Sequence, residues 1–304
     1  MLLSLVGVGQ FDAVLSLAPA LGITYYPTPF GLVSAAWVIA ASAAAAVSLK
    51  SAQFLFFPWL LEAMEAPVPI SAQLHSSTLV VIGLFLAFRF EAVLCSLSLG
   101  QPYVVLGAAA TAALASILGF FQADVKKMLA CSTASQLAYV CAAMGLGLWA
   151  DALALLYVVC VGKAVIFVWF GALMATNGGV SDSRLIVFSQ TSRSIRAGLL
   201  VAAAISTVGC GSALWHIKAL LFRGGSTWAL SLGIELLAVS WFFSSLYLAK
   251  LSWALCTSPA LGSSAQPTSL GQNPKLGLLF SWLVLVSACL SYGPLALWAA
   301  AMWC

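Results

Sequence analysis

Charge is what this sequence has least of. Only 7% of its 304 residues are Asp, Glu, Lys or Arg, against 63% that are hydrophobic. A soluble domain carries about 25% charged residues, so this chain cannot cover a water-facing surface. Paired cysteines are missing too. The eight cysteines are scattered without a CxxC pair, which argues against a disulfide framework or a zinc site. The first ten residues, MLLSLVGVGQ, have no basic start, so no cleavable presequence is expected. The net charge of +4 is spread over loops and forms no patch suited to nucleic acid. No metal cluster, Gly-rich phosphate loop, nucleophile–base pair or short tandem repeat stands out, which argues against covalent chemistry.

What the chain does have is hydrocarbon in long runs. A spanning helix needs ~20 mainly apolar residues. Eight such runs follow one another, at about 31–50, 68–90, 100–121, 128–148, 151–175, 197–222, 227–250 and 277–301. Backbone groups in lipid must be bonded internally, which leaves a helix bundle or a closed barrel. Barrel strands alternate polar and apolar residues, whereas these runs are apolar all round. The expectation is an all-α polytopic membrane bundle of eight transmembrane helices. Residues 1–22 are apolar but carry Asp12 and Pro19, and read as an incomplete ninth span or an interfacial segment. The stretches 176–196 and 251–276 are rich in Gly, Ser, Pro and Asn and read as loops.

Basic residues divide unevenly between the loops. Those after odd-numbered spans hold Lys126, Lys127, Arg184, Arg193, Arg196, Lys250 and Lys275; those after even-numbered spans hold Arg89 and Arg223. The positive-inside rule places the first group on the cytoplasm-equivalent side. The C-terminal Cys304 then lies on the other.

A charged side chain at a bilayer centre costs ~2.5–3.5 kcal/mol on insertion scales, so such residues face protein or water and point to an ion pathway. Lys163, in 156-LYVVCVGKAVIFVWF-170, is the clearest, twelve residues from each end of its run. It reads as a proton relay, or else as a structural lysine paired with a buried carboxylate. Lys50 and Lys218 lie near the ends of their runs, where snorkelling to the interface is, for either taken alone, the favoured explanation. After Lys50, however, Pro58, Pro67 and Pro69 interrupt a segment still rich in Phe, Leu and Trp. A helix broken by proline at membrane depth must be buried in protein or line a cavity. Glu62 and Glu65 then either face a partner or belong to a solvated lid. His75 can exchange protons near neutral pH, or simply bond a carbonyl. Glu235 is a further carboxylate within a span. His216 is off the helical face of Lys218.

The stretch 50-KSAQ-53, followed by Trp59 and by Ala63, Met64, Glu65, Pro67, Pro69, Ser71, Ala72, His75 and Thr78, resembles the distal antiporter-like subunit, number five, of mitochondrial respiratory complex I. Two further phrases, 122-QADVKKMLACSTASQLAY-139 and 244-SSLYLAK-250, are similar to that family's Ser-Thr-x-Ser-Gln run and its Ser-Leu-Tyr motif. Sodium/proton antiporter subunits share much of the pattern.

The resemblance implies a proton relay through Lys50, on the first broken helix, His75, Lys163 and Lys218, with Glu62, Glu65 and Glu235 as possible partners. It implies that residues 1–30 correspond to the end of the family's sixth helix and the following loop, and 31–304 to helices seven to fourteen. The chain then looks like the C-terminal part of a divided subunit, its missing helices supplied by a second chain. Other implied partners are the neighbouring antiporter-like subunit, number four, the remaining complex I subunits and membrane lipid, and the implied location is the mitochondrial inner membrane with the C-terminus on the intermembrane-space side. Such a chain serves an NADH:ubiquinone reductase that translocates protons, yet binds no cofactor itself. NADH, FMN, iron–sulfur clusters and ubiquinone belong to other subunits. There are departures from the pattern: Phe57, Leu61, Leu155, Val159 and Ala219 stand where polar residues, a proline, histidines and an acid are usual. They keep two alternatives open, a cation/proton antiporter outside complex I and a non-conducting scaffold.

Overall fold

The structure, a computed structural model, describes residues 25–28, 31–53, 56–76, 78–91, 94, 101–176, 179, 181–182 and 228–257. The expected spans 197–222 and 277–301 lie outside these, as does Lys218.

The described chain opens on a hairpin that the apolar pattern does not foretell. Strands β1 (Tyr25–Thr28) and β2 (Gly31–Ser34) pair antiparallel, Tyr25 against Ser34. Tyr and Thr favour extended backbone, and Pro27 lacks an amide to continue a helix. The first helix therefore starts at Ala35 rather than 31. Ser34 caps it, its Oγ accepting from the amide of Trp37.

Helix α1 (Ala35–Lys50) ends where Ala52 takes a left-handed conformation, φ 51°. The amide of Gln53 reaches back to the carbonyl of Ser48 at 2.9 Å, closing a Schellman turn without the usual glycine. The interrupted segment continues as α2 (Pro58–Glu62) and a 3-10 turn, Ala63–Glu65. Trp59 Nε1 donates to the carbonyl of Leu49 and ties α2 back to α1. The run 68–90 is two helical pieces, α3 (Val68–Ser76) and α4 (Leu79–Arg89). Ser76 Oγ bonds the carbonyl of Ala72 and Thr78 Oγ1 that of Gln73. Such side-chain bonds compete with the helix ladder and bend it.

Four long helices follow: α5 (Gln101–Phe121), α6 (Val125–Gly145), α7 (Trp149–Thr176) and α8 (Trp228–Thr257). The last runs past its expected end at 250, because 251-LSWALCT-257 stays apolar and Pro259 is the next residue unable to continue a helix. Among the described residues five helical stretches are long and apolar enough to cross a membrane. Helix α6 is the centre of the bundle and is buried from Met128 to Gly145. Its Ala, Ser and Cys residues let neighbouring backbones approach closely. Phe85, Leu114, Phe121, Tyr157, Val168 and Phe242 point outward, as lipid-facing side chains do.

Hydrogen bonds gather the loops after odd-numbered spans at one end of the bundle. Lys126 Nζ donates to the carbonyl of Ala66 at 3.4 Å, the amide of Val125 to that of Ser181 at 3.0 Å, and Lys250 Nζ to those of Phe120 and Gln122 at 3.0 and 3.1 Å. At the other end Phe88 meets Trp149 edge-on. The chain thus alternates direction as the loop charges imply.

Candidate functional site

Lys163 sits midway along α7, about 20 Å from either end at 1.5 Å per residue. Its side chain is 0% exposed. Nζ donates to Ser132 Oγ on α6 at 2.5 Å. Ser132 Oγ in turn donates to the carbonyl of Leu129 at 2.8 Å. Among the described residues no carboxylate is buried. Leu155 and Val159, one and two turns before Lys163, are buried and apolar.

His75 closes α3 and is 2% exposed. Its ring stacks on Phe167 with centroids 5.8 Å apart and planes 22° from parallel. Phe167 is one turn after Lys163, so imidazole and amine lie on adjoining helices, a turn apart. The close fit of α3 to α7 comes from Gly171, where an added Cβ would lie 2.5 Å from Val68 Cγ1. Among the described residues neither ring nitrogen of His75 meets a hydrogen-bond partner.

Lys50 ends α1 with its side chain exposed. Its Cβ lies beside Gly83 of α4, where a side chain would meet Lys50 Cβ and the amide of Ser51, each at 3.0 Å. The turn that follows buries Ser51, Ala52 and Gln53. Gln53 Nε2 donates to the carbonyl of Ser51 at 3.1 Å, while its buried Oε1 has no partner. Glu62 and Glu65 are exposed, as is Glu235 on α8. The structure therefore buries both His75 and Lys163, with the imidazole against Phe167 and the amine on Ser132. It leaves Lys50 and the three glutamates at surfaces of the described chain.

Sequence reasoning missed the hydroxyls. Ser132, Ser135 and Tyr139 of α6 face Ser240, Ser244 and Tyr247 of α8, and all six are buried. Ser135 Oγ and Ser240 Oγ are 3.0 Å apart, and Tyr139 Oη donates to the carbonyl of Leu237 at 2.8 Å. Their spacing by three and four residues on both helices was the available signal. Chemically the site can hold a proton on an amine or an imidazole and pass hydrogen bonds through hydroxyls. Among the described residues no group of His, Cys, Asp and Glu could hold a metal ion.

The family described as NADH:quinone oxidoreductase/Mrp antiporter, TM, matches residues 1–245. A Nyctotherus ovalis protein named NADH-ubiquinone oxidoreductase chain 5 is 40% identical over 149 residues, 48% of this chain and 8% of that one. A Brachypodium distachyon protein named NAD(P)H-quinone oxidoreductase subunit 5, chloroplastic, is 40% identical over 125 residues, 41% of this chain and 17% of that one. The chain thus spans only a small part of the length of the curated relatives it matches. A chain of the Mrp complex from Dietzia sp. DQ12-45-1b superposes with a TM-score of 0.70 at 22% identity, over 96% of this chain and 36% of that one. At that identity the likeness is one of fold.

Proposed function

The chain belongs to the NADH:quinone oxidoreductase/Mrp antiporter transmembrane family, and from that premise we propose that it is part of a proton-translocating membrane-arm subunit of respiratory complex I, of the subunit-five kind. The observation that carries this reading is Lys163, fully buried at mid-helix with its amine bonded to the hydroxyl of Ser132. A hydroxyl bonds an amine charged or neutral, as a relay requires.

Protons pass along Lys50, His75, Lys163 and Lys218. A charge change on a neighbour alters the proton affinity of Lys50, and the effect is handed on through His75. With an effective dielectric constant of ~20, two charges ~8 Å apart interact by ~2 kcal/mol. That is a change of about thirtyfold in proton affinity, enough to bias a poised group. The two unmet nitrogens of buried His75 support its place in the path, because such atoms cost ~1–3 kcal/mol unless something bonds them. Polar groups within ~3 Å, or a single intervening water, are the partners a transfer step needs.

The chain carries no redox chemistry in this reading. NADH oxidation by FMN and iron–sulfur clusters and reduction of ubiquinone occur in neighbouring subunits. Helices beyond this chain's matched region, on the same or another polypeptide, complete the pump, and the setting is the mitochondrial inner membrane. A second reading, a cation/proton antiporter module, is favoured by the Mrp antiporters within the same family. Purification of the membrane complex separates the two: flavin and iron–sulfur subunits accompany this chain in the first, none in the second. The relay itself is tested by Lys163→Met. The variant is expected to assemble and to lose proton translocation through this subunit; an unchanged proton-to-electron ratio would refute the relay.

A further inference from the structure

Phe167 touches the buried imidazole of His75 with a ring that carries no proton of its own. It is 1% exposed and lies one turn after Lys163 on α7. Lys163, Phe167 and Gly171 are spaced by four residues and share one stripe of that helix. Helix α3 packs antiparallel along the stripe: Val68, at its start, meets Gly171, and His75, near its end, meets Phe167. The two rings are stacked, with centroids 5.8 Å apart and planes 22° from parallel.

That separation is in the range of offset-stacked aromatic pairs. Stacking leaves the edges of the imidazole, where its nitrogens are, outside the contact. Among the described residues neither nitrogen has a hydrogen-bond partner, so orientation there rests on the ring face instead of on a hydrogen bond. The face has a second consequence. An aromatic ring attracts a cation within about 6 Å of its centroid, and more strongly where water is excluded. It therefore favours the imidazolium over the neutral imidazole. Leucine or methionine fills much the same space without that attraction.

Resting on the relay reading of His75, we propose that Phe167 is a positioning residue, whose ring sets the plane of the imidazole and favours its protonated form. Helix α3 packs on α7, α4 and α6. Their titratable groups are Asp151, Tyr157, Cys160 and Lys163 on α7, Arg89 on α4, and Lys126, Lys127, Cys131, Tyr139 and Cys141 on α6. Lys163, Cys131, Tyr139 and Cys141 are buried, and the others reach the surface of the described chain at least in part. Lys163 and Cys160 precede Phe167 by one and two turns on its own stripe. None of these groups is changed in the variants below, so a difference between variants reports the ring.

The experiment uses the assembled complex in sealed membrane vesicles and reads proton translocation per electron as a function of pH. Phe167→Leu is expected to move the alkaline limb of the profile ~0.5–1 pH unit lower, a loss of about three- to tenfold in proton affinity. Phe167→Tyr keeps the aromatic face and is expected to return the limb to the wild-type position. An unmoved limb in Phe167→Leu, or a Phe167→Tyr profile matching that of Leu, would overturn the proposal. So would translocation lowered equally at every pH, which is what lost packing alone produces. Should Phe167→Leu fail to assemble, Phe167→Met decides alone, a downward move supporting the stack and an unmoved limb refuting it. His75→Leu separates the levels: if it leaves translocation intact the relay reading of His75 fails, and if it lowers translocation while Phe167→Leu keeps the wild-type limb, only the role of the stack fails.

Discussion

A lysine at mid-span costs ~2.5–3.5 kcal/mol to insert, and Lys163 carries that cost with its amine bonded to the hydroxyl of Ser132. Its depth was legible in the sequence, since one basic residue in an unbroken apolar run has nowhere to hide. The hydroxyls were not. Serine is ordinary inside spanning helices, and only the pairing of α6 with α7 and α8 distinguishes Ser132, Ser135 and Ser240 from residues that merely pack. Nor could spacing tell which face of a helix Glu62, Glu65 and Glu235 take, and each is exposed. His75 gives a prediction at this scale. Among the described residues no hydrogen bond holds the imidazole, and leucine has a volume similar enough to fill its place against Phe167, so His75→Leu should assemble and keep its thermal stability within a few degrees. Loss of a group that exchanges protons typically costs a hundredfold or more, and proton translocation through this subunit should fall by about that much. Denaturation of the purified complex and vesicle acidification check the two halves separately; a variant that unfolds would show that the imidazole serves packing instead.

The helices themselves follow from apolar run length, and their ends follow from chemistry that run length does not register. Tyr25–Thr28 pairs with Gly31–Ser34 and delays α1; the back-bonding of Ser76 and Thr78 divides α3 from α4; α8 continues through Thr257 because no residue before Pro259 stops it. Two predictions belong to elements. An added methyl at Gly171 would meet Val68 at 2.5 Å, and overpacking of this kind costs ~1–3 kcal/mol. Gly171→Ala should therefore lower the melting temperature and loosen α3 from α7, with proton translocation falling because His75 shifts on Phe167; unchanged melting would show that the contact relaxes freely. At Ala52, φ is 51°, a conformation that costs a residue with a Cβ ~1 kcal/mol or more. Ala52→Gly should raise stability by about that amount, and Ala52→Val should lower it, in the same melts.

For the whole molecule, the loop charges and the hydrogen bonds describe one topology by independent means. Seven basic residues follow odd-numbered spans and two follow even-numbered ones, and the bonds Lys126–Ala66, Val125–Ser181 and Lys250–Gln122 join the odd-numbered loops at one end. Cysteines introduced at Lys127 and at Arg89 should react with a membrane-impermeant reagent from opposite sides, Lys127 from the cytoplasm-equivalent side; reaction from the same side would overturn the span count. Within that frame the central claim is that Lys163 works by giving up and regaining a proton, and does not serve as a fixed positive charge. Arginine separates the two, because its guanidinium keeps the charge and the donors but does not release a proton at any working pH. The most direct measurement is the proton-to-electron ratio of the assembled Lys163→Arg complex in sealed vesicles: a ratio lowered by this subunit's share, with NADH oxidation retained, is the predicted result, and a wild-type ratio would contradict the account.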